Sequence, residues 1–355
     1  MRYLFVRQHI AGGRRLEGKR GLLDAIAQLQ GFEISAAAWE RDVLPSRVLN
    51  YDPRWLDEAA LAGDVAWARL SLRKTTGTGR ASSPQRATPI TFTMRRDLGW
   101  LLEAARGIEQ PEDPTTGGAA ATLDALRQHG ALFFDDLAAA SRQLPVQLEE
   151  ALWDLVARGL VTGDGFSSLR QIMTPAGSSR ARAARRHTRY GSARTTRDTQ
   201  PRGRWSIVHR FQPDASPADE LGEKVARQLL ARYGVVFRDL ITREHFAVPW
   251  RDVIRALRRM EMRGDVRGGR FVAGFIGEQY ALPEAVDGLR RTRREERTGE
   301  TIRINAADPL NLAGIITPGP RVPAVHTNAV IYKDGLVVAT EEGRKLIQRE
   351  EAPAS

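Results

Sequence analysis

The chain has 355 residues, of which 42% are apolar, 7% aromatic and 27% charged; this is a globular composition, too long for one compact core to organise. No stretch approaches the roughly 18 uninterrupted apolar residues of a membrane span, and no apolar leader precedes a cleavage site, so a soluble, cytoplasmic protein is expected. Cysteine is absent, which excludes disulfides, thiolate nucleophiles, iron–sulfur clusters and Cys-containing zinc sites, while 54 basic residues against 43 acidic ones give a net charge of +11.

Only five of the basic residues are lysine, and much of the excess charge is local. Between Arg170 and Arg210 stand eleven arginines and a single acid, Asp198. Such a run reads either as a solvated basic linker or as a phosphate-contacting segment. Interspersed Gly, Ser and Thr, with Tyr190 and Trp205, favour the second and make Arg182, Arg185, Arg186 and Arg189 candidate DNA contacts.

Along the chain, residues 1–72 read as a helical, winged-helix-like module. Apolar spacing through Leu22, Leu23, Ile26 and Leu29 predicts a helix, and the module closes on Trp55-Leu56 and Gly63-Asp64-Val65-Ala66-Trp67. Residues 73–117 read as a linker with a short β segment and a helix. An internal repeat follows. In residues 118–176 the order is a helix (Leu123, Leu126), Gly130-Ala131-Leu132-Phe133, a Pro145-led helix (Leu148, Leu152, Leu155, Val156), then Arg158-Gly159-Leu160-Val161 and a Gly/Asp turn before Phe166. Residues 205–283 repeat it with Leu229, Leu230, Gly234-Val235-Val236-Phe237, Pro249, a helix through Val253, Leu257 and Met260, Arg263-Gly264-Asp265-Val266 and a Gly268-Gly269 turn before Phe271. Two helices, a proline-started third helix and two strands joined by a glycine turn describe a winged helix, with the Pro-led helix as the recognition helix. The arginine run, residues 177–204, reads as the linker between the copies. Residues 284–355 read as a β-rich, barrel-like domain, with short runs at Ile302/Ile304, Ile315-Ile316, Val330-Ile331-Tyr332 and Leu336-Val337-Val338, and Lys333-Asp334-Gly335 as the hairpin turn of the last two. The expected fold class is therefore α+β, with tandem winged helices and a small β-rich C-terminal domain.

Some chemistries are missing. There is no Gly-x-x-x-x-Gly-Lys-Ser/Thr loop, so ATP hydrolysis is not expected of this chain, and the six histidines show no paired ligand spacing, so neither a metal nor a cofactor is expected. Gln28 and Gln30 read by spacing as exposed amides, and Asp334 before glycine as a turn former.

A resemblance adds to this. The segments Gln28-Leu29-Gln30-Gly31-Phe32-Glu33, Leu44-Pro45-Ser46-Arg47-Val48, Tyr51-Asp52-Pro53-Arg54-Trp55-Leu56-Asp57, Gly268-Gly269-Arg270-Phe271, Glu278-Gln279-Tyr280-Ala281-Leu282-Pro283, Asp308-Pro309-Leu310-Asn311, Thr317-Pro318-Gly319-Pro320-Arg321 and Tyr332-Lys333-Asp334-Gly335 resemble, in order, the C-terminal region of the long large helicase-related (Lhr) proteins. That region in turn resembles winged-helix DNA glycosylases with a Gln-x-Gln motif, matched here by Gln28 and Gln30. The resemblance implies a DNA-binding module of a repair helicase with uracil-type base excision and a catalytic carboxylate matched best by Asp334; Arg321, in its Pro-rich turn, reads as a phosphate contact. The implied partners are single-stranded or duplex DNA and an Lhr-type motor in cis or trans, with homo-oligomers as a further expectation. The alternative is a non-catalytic DNA-binding or oligomerisation module of an ATP-dependent DEAD/DEAH-box helicase whose motor lies outside this chain.

Overall fold

The computed structural model describes residues 1–11, 13–72, 88–173, 203–208, 217–343 and 345–349. It is an α+β assembly of winged-helix modules with a small C-terminal sheet. A short helix α1 (Arg2–Arg7) precedes α2 (Gly18–Leu29), whose Leu22, Ala25, Ile26 and Leu29 recur at helical spacing and are fully buried. Strand β1 (Ile34–Ser35), helix α3 (Pro53–Leu61, capped by Asp52) and strand β2 (Val65–Ala68) follow. The central strand of this first sheet is β3 (Pro89–Met94), pairing with both β1 and β2. The strand expected in the linker therefore completes the first module, and α4 (Leu98–Arg106) leads on from it.

The second module stacks α5 (Gly117–His129), α6 (Phe134–Ser141) and α7 (Pro145–Arg158), as the repeat predicted. Pro145 starts α7 with its φ preset and without needing a donor, and Gly159 ends it at φ +74, in the left-handed region that glycine enters without strain. Its wing differs from the expectation. Strand β4 (Val161–Gly163) is followed by helix α8 (Phe166–Met173), in which Phe166 and Leu169 are buried in the core. The partner strand β5 (Trp205–Ile207) lies beyond the arginine run, registering Gly163 with Trp205 and Val161 with Ile207. The run is thus an insertion within the wing of this module, and Trp205–Ile207 belongs to this module rather than opening the next.

The third module contains α9 (Ala218–Tyr233), β6 (Val235–Val236), α10 (Trp250–Met262), β7 (Arg267–Gly269) and β8 (Gln279–Ala281), with β8 between β6 and β7. Val253, Ala256, Leu257 and Met260 form the buried face of α10. Helix α11 (Pro283–Arg294) leads to β9 (Thr301–Asn305), β10 (Ala329–Lys333), β11 (Leu336–Glu342) and β12 (Lys345–Gln348). These four strands are antiparallel in linear order, with β9 and β12 as the two edges, so the C-terminal domain is an open sheet and not the barrel expected from its composition.

Two main cores result. One joins the first and second modules around Trp39, Trp67, Phe92, Phe166 and Trp205; the other joins α1, the third module and the C-terminal sheet. Phe5 of α1 meets Tyr332 of β10 edge-on at 5.1 Å, so the start of the chain packs on its far end.

Candidate nucleic-acid interface and the Gln-x-Gln hub

Helix α2 ends at Leu29, which places Gln28 on its last turn and Gln30 just past it. Gln30 is only 5% exposed and has every amide position engaged. Its Nε2 donates to Asp97 Oδ2 (3.0 Å) and Gln228 Oε1 (3.1 Å), while its Oε1 accepts from Thr93 Oγ1 and the Met94 N–H, both at 3.0 Å. Gln28 Nε2 donates to the carbonyls of Arg7 (3.1 Å) and Ala231 (3.2 Å). From α9, Gln228 donates to the Ala27 and Gln28 carbonyls, and Arg232 donates to the Leu29 and Gln30 carbonyls. Arg232 is fully buried; burial pushes its guanidinium down, and the Glu244 carboxylate that pairs with it outweighs this and holds it above the usual range. Gly31 must turn at φ +87, and a Cβ there would lie 2.9 Å from both Leu101 and Phe246. The Gln-x-Gln segment is thus a polar staple locking the first module to the third.

Asp334 stands apart from it. It occupies the β10–β11 turn at φ +50, a left-handed position that Asp tolerates better than most residues. Its carboxylate accepts the N–H groups of Gly299 (3.0 Å) and Thr298 (3.2 Å). It lines a cavity of about 510 Å³ together with Arg2, Arg14, Phe5, Glu300 and Ile302. A Cβ on the neighbouring Gly335 would approach the Arg2 backbone to 2.9 Å, so this turn sits at the first residue of α1, whereas Gln28 grips the carbonyl of its last. Five helical rises, about 7–8 Å, separate those two anchor points. Gln28 and Gln30 make no hydrogen bond to Asp334: their amides face backbone and buried side chains. Arg321 is exposed in its Pro-Gly-Pro turn. Arg182, Arg185, Arg186 and Arg189 lie outside the described residues.

The two recognition helices share an architecture and differ in surface chemistry. On α10, Arg251, Arg255 and Arg258 are exposed at i, i+4 and i+7, opposite the buried face. Arg267 and Arg270 extend the basic surface onto the wing. Asp252 lies 3.8 Å from Arg251 and 3.3 Å from Arg255, and Glu278 lies 2.5 Å from Arg258, yet each of the three arginines stays more than half exposed. On α7, the outward residues are Val146, Gln147 and Glu150, with Leu144 and Phe133 exposed beside them, and Arg158 is taken up by Asp154. The Arg-x-x-x-Arg-x-x-Arg spacing of α10 is readable in the sequence, but spacing alone does not separate such a row from any solvated helix face.

Comparisons with known proteins agree with this architecture. Residues 1–94 match the third, and residues 215–301 the fourth, winged-helix domain of the large helicase-related proteins, together about half of the chain. Over 97% of its length the chain is 29% identical to a Mycolicibacterium smegmatis protein named Lhr helicase/probable uracil glycosylase. Over 93% it is 26% identical to an Escherichia coli protein named Lhr helicase/uracil glycosylase. It spans 22% of the length of each of these relatives. With two successive domain matches in family order, and the modules they describe built as winged helices, the chain belongs to the large helicase-related family and corresponds to a C-terminal Lhr region.

Proposed function

We propose that the chain is a DNA-binding module whose principal docking surface is α10 and the β7–β8 wing. The exposed arginine row Arg251, Arg255, Arg258 carries this reading. A helix of this width fits a major groove, and three cations on one face, with Arg267 and Arg270 on the wing, match two phosphate rows. The wing insertion, with Arg182, Arg185, Arg186 and Arg189, and Arg321 add sequence-independent phosphate contacts. The test is a salt titration of duplex affinity. Replacing Arg251, Arg255 and Arg258 together by Ala should weaken binding to all sequences alike and flatten the log–log salt slope by about 2–3. An unchanged slope would remove α10 from the interface.

A second reading is base excision, which the names of the relatives suggest and the Asp334 cavity supports. Its volume of about 510 Å³ is large enough for a flipped nucleotide, Arg14 lines it, and the Thr298 and Gly299 N–H groups hold the Asp334 side chain in place. In this reading Asp334 orients a water towards the sugar carbon and stabilises the positive charge that develops as the base departs; the water oxygen bonds to the sugar and its proton leaves with the solvent or the base. Gln28 and Gln30 act by positioning the framework that carries this cavity. Incubation with a uracil-containing oligonucleotide, then alkali, is the assay. Asp334→Asn should abolish strand scission and leave DNA affinity intact; full activity in that variant removes Asp334 from the chemistry.

A further inference from the structure

The wing of the third module carries Gly274-Phe275-Ile276-Gly277, and its two large apolar residues have opposite fates. Phe275 turns inward, with its ring 4.4 Å from that of Phe237. Ile276 is 95% exposed. A lone exposed isoleucine is ordinary on a protein surface, but this one is held out on a braced frame. Buried Gln279 accepts the N–H groups of Phe271 and Val272 and donates to the Val272 carbonyl, all at 2.8 Å. Gly274 and Gly277 adopt φ +85 and +100, turning the tip where other residues would be strained. Glu278, next to the tip, is held by Arg258 and by the Tyr280 hydroxyl (2.8 Å). Arg267 and Arg270 on the wing and Arg258 on α10 surround the tip, with Glu278 paired to Arg258 and Glu261 bound to the Gly268 N–H.

We propose that Ile276 is an apolar wedge that enters between neighbouring bases of a DNA duplex docked on α10, opening that step. The proposal rests on the DNA-binding reading above. The arginines fix the duplex by its phosphates. The unstacking cost is then offset by burying the isoleucine and by the additional protein surface that a bent duplex reaches. A β-branched side chain on a braced turn has few rotamers to lose on insertion.

The test uses the full chain and duplexes with 2-aminopurine at successive positions, because this base fluoresces when it leaves the stack. Binding should raise the fluorescence at one or two adjacent positions. Ile276→Ser should remove the rise while affinity, read by anisotropy, falls no more than about tenfold; Ile276→Leu, which keeps an aliphatic tip, should retain it. The Arg251, Arg255, Arg258 triple alanine variant should show weakened binding and a signal that falls with it. Wild-type binding with no rise at any position, a rise that survives Ile276→Ser, or a rise lost equally in Ile276→Leu overturns the wedge and leaves the docking surface standing. Absence of wild-type binding overturns both.

Discussion

At the scale of single residues, the decisive feature is how many buried polar groups depend on one side chain. Gln30 completes four hydrogen bonds, two with side chains of its own module, one with a backbone N–H and one with Gln228 of α9. Gln30→Ala strands Gln228 Oε1 and the Met94 N–H, while Thr93 Oγ1 keeps its bond to the Met94 carbonyl, and each such orphan costs about 1–3 kcal/mol, less where water enters. We expect a loss of roughly 2–4 kcal/mol in urea unfolding. Gln28→Ala, which takes a donor from the Arg7 and Ala231 carbonyls, the second still accepting from Arg7 Nε, and removes an Oε1 that itself lacks a partner, should cost less than half of that. A Gln30→Ala protein as stable as wild type would argue against the staple. Both glutamines were prominent in the sequence, but spacing could not distinguish an exposed amide from a sealed one, because their partners lie up to 203 residues away.

At the scale of elements, proline starts and glycine stops placed α7 and α10 correctly, since both act within one helical turn. Their surfaces then separate two descendants of one repeat. Removing charge from α7, for example Glu150→Gln, should leave duplex affinity within about twofold, whereas the α10 arginines should not tolerate substitution; comparable losses from both helices would contradict the assignment. The wing of α10 also carries a pH signature. Burial, then the Glu278 carboxylate that accepts its hydroxyl, pushes Tyr280 up from 10 to about 12. The folded state therefore retains this proton where the unfolded chain has lost it. The contribution is complete below pH 10 and is lost as pH rises from 10 to about 12. The unfolding midpoint of wild type should fall more steeply over that window than that of Tyr280→Phe; parallel profiles would show that the tyrosine is not perturbed. The wing of the second module is not legible in the sequence for a physical reason. A three-residue strand has too short a period to announce itself, and its pairing with Trp205 spans the arginine run.

At the scale of the whole molecule, a buried ion pair ties the beginning of the chain to its end. Arg47 and Asp308 are 0% and 2% exposed, joined by two hydrogen bonds of 2.7 and 2.9 Å, and Gln8 Oε1 accepts from the same guanidinium at 2.7 Å. Asp308→Ala leaves an uncompensated buried cation and should cost about 3–5 kcal/mol, read as a lowered unfolding midpoint; a near-neutral change would show that the interface relaxes or hydrates. The sequence by itself determined the α+β class, the repeated winged helix and the phases of its helices, and, through long ordered motifs, the family, because each of these is written in local spacing. Tertiary structure alone decided the rest: that the arginine run interrupts a wing, that the last four strands remain an open sheet, that Gln30, Arg47 and Arg232 are interior, and that Asp334 lies at the opposite end of α1 from Gln28. Those outcomes depend on which distant surfaces meet, and burial converts an ordinary polar side chain into a determinant of structure only once its partners, some as far as 261 residues away, have arrived.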